Sequence, residues 1–148
     1  MDKDIPSEKK VVIHYKDGNI KKGLLHDFSE ESDKIRIDIE KDEEGVETLD
    51  IFLSDLKAIY YVKSHEGKKE YREKKKFGLI EPKGKRVMVH FKDGEVICGF
   101  CNLDDIQNNT GSINFSSLKN FFIFPSDPDA NNIKIFIMAS SVGDIRRL

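Results

Sequence analysis

The chain has 148 residues, of which 35% are charged and 38% hydrophobic, with a net charge of −2. That length holds one ordinary domain or two very small ones. No apolar run approaches the roughly 18 residues of a membrane-spanning helix, the start Met1-Asp2-Lys3-Asp4 lacks a secretory h-region, and two cysteines make no disulfide scaffold. A cytoplasmic protein without membrane contact is therefore expected.

In chain order, residues 1–9 are polar and read as a disordered N-terminus. Val11, Ile13 and Tyr15 then alternate with other residues, the period-two pattern of a strand with one buried face. Lys16-Asp17-Gly18 supplies a tight turn, because aspartate bonds its own backbone and glycine accepts positive φ. A second strand runs through Ile20 to Gly23, where a strand glycine marks a bend or a close backbone approach. Ile35–Ile39 and Thr48–Leu53 read as strands, and Ser54–Val62 as a short turn with a closing strand.

Residues 63–86 carry ten basic and four acidic side chains, against ten and sixteen in residues 1–62. This is a basic strap between two acidic lobes. Glu70–Phe77 has room for two helical turns between Gly67 and Gly78.

The opening segment then returns. Val11–Gly23 and Val87–Gly99 match at six of thirteen positions, including the Lys-Asp-Gly corner. The closing segments Ser54–Val62 and Ser140–Leu148 align more weakly. Phe121–Phe124 and Ile133–Met138 supply the strands between, after an insertion around Asp104–Lys119. The chain is thus a tandem duplication. Five short strands in about 60 residues suit a small SH3-like barrel. The expected architecture is all-β: two tandem five-stranded barrels over residues 10–63 and 85–148, joined by a basic linker at 64–84.

The alternating stretch followed by Lys-Asp-Gly, an apolar residue and glycine, at residues 11–25 and 87–101, resembles the first half of the Sm-like barrel motif. That resemblance implies a small barrel and binding of single-stranded RNA. Ser29 and Asp33 stand where the family carries its aspartate and asparagine, and Lys63-Ser64 where it carries Arg-Gly. Tyr71–Phe77 and Phe124–Asn132 give the whole chain a resemblance to a two-repeat bacterial family without assigned function. Asp27-Phe28-Ser29-Glu30-Glu31-Ser32 resembles the Asp-x-Ser-x-x-Gly turn of PilZ barrels, which implies a cyclic di-GMP site at Asp27 and Ser29. No arginine precedes that turn here, and lysine does not reproduce the planar fork of arginine.

Other constellations have structural readings. Cys98 and Cys101 are three apart on a strand, so their sulfurs point to opposite faces. Asp127–Asn132 opens like a calcium loop but has Asn132 and Met138 at the positions of the required glycine and glutamate. His14 and His90 occupy matched positions on the face opposite the apolar stripe, and Phe122 alternates away from Phe121 and Ile123 as the aromatic most suited to exposure.

The anion-binding candidates are Lys68, Lys69, Arg72, Lys74, Lys75, Lys76 and Arg86. No catalytic residue, metal site or cofactor is expected. A non-enzymatic bacterial adaptor or regulatory module, binding a protein or itself through sheet edges, fits these features best. Single-stranded nucleic acid or a cyclic dinucleotide is the alternative ligand.

Overall fold

A computed structural model describes residues 10–26, 31–41, 45–64, 84–102, 118–125 and 131–148. It contains ten strands: β1 (Lys10–Tyr15), β2 (Ile20–Leu25), β3 (Lys34–Glu40), β4 (Val46–Phe52), β5 (Leu56–Val62), β6 (Lys85–Phe91), β7 (Val96–Cys101), β8 (Phe121–Pro125), β9 (Asn132–Ile137) and β10 (Val142–Arg147). Two 3-10 turns, Leu53–Asp55 and Ala139–Ser141, lead into β5 and β10. No α-helix occurs among the described residues. The possible helical turns of the strap lie outside those residues.

The strands form one antiparallel sheet in the order β10-β6-β7-β8-β9-β5-β1-β2-β3-β4. This corrects the expectation of two closed barrels. Each repeat keeps its own five strands adjacent, but neither set closes on itself. Instead β5 of the first repeat pairs with β9 of the second, Ala58 opposite Ile137 and Tyr60 opposite Ile135. The physical reason is that an edge strand presents a row of unpaired amides and carbonyls, and here each repeat covers one edge of the other.

The duplication is reproduced down to its hydrogen bonds. In the first hairpin, Tyr15 N–H donates to the Asn19 carbonyl and Gly18 N–H to the Tyr15 carbonyl. Phe91, Glu95 and Gly94 repeat this in the second. The Asn19 and Glu95 amides donate to the carboxylates of Asp17 and Asp93. Gly18 and Gly94 have φ of 96° and 100°, as the corner requires. The closing strands match as well. β5 and β10 each carry a bulge, at Lys57 and Gly143, at the same place against β1 and β6.

Two cores lie on opposite faces of the sheet. One gathers Val11, Ile13, Ile35, Ile37, Leu56, Ile59 and Tyr61 of the first repeat, together with Phe136 and Met138 of the second. The other gathers Val87, Val89, Phe121, Ile123, Ile135 and Ile145 of the second repeat, together with Ala58, Tyr60 and Val62 of the first. All seven residues of β5 are buried. The sheet therefore curls one way around one core and the other way around the next.

Gly23 and Gly99 mark the curl. A Cβ at Gly23 stands 2.5 Å from the Asp38 carbonyl oxygen, and one at Gly99 stands 2.5 Å from that of Phe124. The neighbouring backbones approach at this distance only because no side chain intervenes. Gly99→Ala is accordingly expected to destabilise the protein by about 1–3 kcal/mol. Urea unfolding checks this, and an unchanged midpoint contradicts the close approach.

Candidate functional site

The residues singled out in the sequence are only partly brought into view. Asp27, Ser29, Lys68, Lys69, Arg72, Lys74, Lys75 and Lys76 lie outside the described residues. Arg86 is exposed at the start of β6, where its carbonyl accepts the Leu148 amide at 3.0 Å. Cys98 is exposed and Cys101 buried, so the two sulfurs are on opposite faces. Residues 127–130 of the calcium-like loop lie outside the described residues, and Asn131 is described. Its side chain bonds the backbone of Ser64 on both sides, N–H to Oδ1 at 3.2 Å and Nδ2 to the carbonyl at 2.9 Å. Phe122 is half-buried against Phe136, with the Lys134 ammonium 4.6 Å from its ring. It is a flank of the first core and not a free stacking face.

A polar cluster that the sequence did not announce sits at the seam between repeats. The bulge at Lys57 turns its side chain toward the β6–β7 corner. There the ammonium meets Asp93 Oδ2 at 2.8 Å and also Glu95 Oε1. Lys57 is only 8% exposed, and its ammonium also lies 4.7 Å from the Phe91 ring. Burial works against its charge, but the hydrogen bonds to both carboxylates outweigh this and raise its pKa. The bond from Lys57 holds the Asp93 carboxyl below its usual range. Beside this pair, His14 packs against Tyr60 in a tilted arrangement, with ring centroids 4.3 Å apart. Burial, then the Lys57 charge, lowers the His14 pKa, and burial raises that of Tyr60. One sequence signal was available: Lys57 is the single charge in the apolar run Leu56–Val62.

At one end of the seam the two 3-10 turns approach each other around a cleft of about 580 Å³, lined among others by Leu53, Ser54, Lys92, Asn120, Met138 and Ser140. Ser141 anchors the turn beneath it, its hydroxyl donating toward the Lys57 and Met138 carbonyls at 2.9 and 2.7 Å.

The third feature is the pair of outer strands. Among the described residues, β4 and β10 each have a neighbour on one side only. β4 exposes Val46 at 64% and Phe52 at 54%, and Leu148, just past β10, is 60% exposed. The two ends differ in charge. β4 contains Glu47 and Asp50 and no base, whereas β6 and β10 display Lys85, Arg86, Arg146 and Arg147. Asp50 is bound by Arg36 at 2.8 Å and Glu47 by Lys41 at 3.3 Å.

The seam pair has a defined pH signature. Asp93, with its pKa lowered from 3.8, contributes stability that is present above that value and is lost as pH falls through its folded pKa. Lys57, with its pKa raised from 10.5, contributes stability that is lost only as pH rises through its folded value. Lys57→Met keeps the packing volume and removes the charge. The Tm difference between wild type and this variant should therefore shift against the wild type as pH falls below about 4. Thermal melts between neutral and acid pH measure it, and a gap independent of pH contradicts the pairing.

No curated protein and no solved structure matches the chain. A family model described as a family of unknown function (DUF6982) matches residues 7–148, and the chain belongs to that family.

Proposed function

We infer that this protein is a non-enzymatic binding module that engages protein partners by strand addition at the free edges of its sheet. The observation that carries this reading is the β4 edge. It is unpaired among the described strands, and it exposes Val46 and Phe52 at its two ends. An extended segment laid along such an edge gains main-chain hydrogen bonds, and side-chain contacts at alternate positions give it selectivity. The chain already uses this mode of contact within itself, at the β5–β9 seam. Each half is read as a small SH3-like unit whose barrel is left open, which is what makes its edges available.

A variant carrying Val46→Lys and Phe52→Lys tests the reading. Both side chains are exposed, so Tm should change by no more than a few degrees. Proteins captured by the wild type from the source cell should be lost from the variant. Capture by both alike removes β4 as the docking strand.

A second reading has its own support. Lys85, Arg86, Arg146 and Arg147 are all exposed at the β10 end, a cationic surface suited to the backbone of a single-stranded nucleic acid. Polarisation with a labelled oligouridine should then show binding that weakens steeply with salt. No binding at low salt ends this alternative.

A further inference from the structure

The duplication makes the outer edges comparable with the inner seam, residue by residue. β5 and β10 hold the same register against the first strand of their repeats: Ile59 opposes Ile13 as Ile145 opposes Val89, and Tyr61 opposes Val11 as Arg147 opposes Val87. β4 and β9 correspond likewise. Ile51 opposes Ile35 in β3 as Ile137 opposes Phe121 in β8, and both strands run into a 3-10 turn that leads to the closing strand. The seam joins the closing strand of the first repeat to the fourth strand of the second. The strands left with a free edge among the described residues are the fourth strand of the first repeat and the closing strand of the second. They are the two complementary halves of the same junction.

We propose that β4 of one chain pairs with β10 of a second copy, in the register of the β5–β9 seam, so that the protein associates head to tail. This names the partner for the edge docking proposed above and rests on that reading. Transferring the seam register places Ile51, Asp50, Leu49, Thr48 and Val46 opposite Asp144, Ile145, Arg146, Arg147 and Leu148 of the second copy. Three features favour this arrangement.

The first is apolar. Val46 and Leu148 are the two most exposed large hydrophobic side chains among the described residues, and the transferred register sets them directly opposite each other. Phe52, the third on this surface, takes the place that Met138 holds in the seam, where Met138 is buried.

The second is electrostatic. β4 carries two acids, and β10 carries Arg146 and Arg147 with one acid. Pairing β4 with β4 puts Glu47 and Asp50 against themselves, and pairing β10 with β10 does the same to the arginines. The mixed pair in the seam register sets opposite charges together, with Asp50 diagonal to Arg147 on one face.

The third is the contrast with the seam. Ala58, Tyr60 and Phe136 there are replaced at the edges by Asp144, Arg146 and Asp50. Lys57 and Glu95, which bond across the seam, correspond to Gly143 and Asn19. The contact between chains therefore lacks both the buried aromatics and the ion pair of the buried Lys57 ammonium. With charged pairs in place of those groups, it is weaker than the seam and sensitive to salt.

A charge-swap experiment on the full chain tests this. One variant carries Glu47→Lys and Asp50→Lys, the other Arg146→Glu and Arg147→Glu. All four positions are exposed, so each variant should fold, which its Tm verifies. Sedimentation of the wild type should show concentration-dependent association, about tenfold weaker at high than at low salt. Each variant alone should be monomeric, and an equimolar mixture should associate again, because both mixed junctions regain opposite charges. A wild type that stays monomeric at low salt overturns the proposal. So does a variant that still associates alone, or a mixture that does not. If the wild type is monomeric while Val46→Lys/Phe52→Lys still abolishes partner capture, only the self-pairing fails and strand addition by another protein stands. If capture is also indifferent to β4, the edge-docking reading fails with it.

Discussion

The junction of β5 with β9 is the contact on which the rest of the molecule depends. A strand with both faces buried is apolar wherever no partner meets a polar group, and β5 is buried from Leu56 to Val62, with Lys57 as its one charge. Its odd and even residues serve different cores: Ile59 and Tyr61 pack in the first, Ala58, Tyr60 and Val62 in the second. β9 reciprocates with Phe136 in the first and Ile135 and Ile137 in the second. Each such large side chain contributes about 1.5–3 kcal/mol by burial. Separating the repeats would expose both strands on one face each, so neither core is complete without its neighbour.

Polar groups at this junction specify which edges meet. Apolar strands pair in several registers at similar cost, since hydrophobic contact is not directional. Lys57 favours the observed register, in which its ammonium reaches Asp93 and Glu95 at the corner of the other repeat. A buried charge without these partners is costly, so a slipped register loses the pair and keeps the desolvation. The equivalent positions, Gly143 and Asn19, carry neither an ammonium nor a carboxylate, so the pair belongs to the seam alone among the matched positions.

The outer edges show what a duplicated sheet does with its ends. β10 carries charges at Asp144, Arg146 and Arg147, which discourage indiscriminate strand pairing. β4 is less guarded, with Val46 and Phe52 exposed. The same strand geometry thus carries buried aromatics at the internal junction and exposed charges at the outer strands, through changes at a few matched positions.

The sequence by itself determined the all-β class, the duplication, the two Asp-Gly corners and most strand positions. These are local matters: period-two alternation and a turn with positive φ are written in adjacent residues. The buried positions of Val11, Ile13, Val87 and Val89 followed from that alternation. What only the tertiary structure decided was closure. Whether five strands seal upon themselves or open onto a neighbour depends on pairing between residues far apart, such as Tyr60 with Ile135, and no local pattern encodes that choice. The role of Lys57 was hidden for the same reason, since its carboxylate partners lie in the other copy. So was the exposure of Val46, Phe52 and Leu148, because an apolar residue becomes an edge contact only once the order of strands is set.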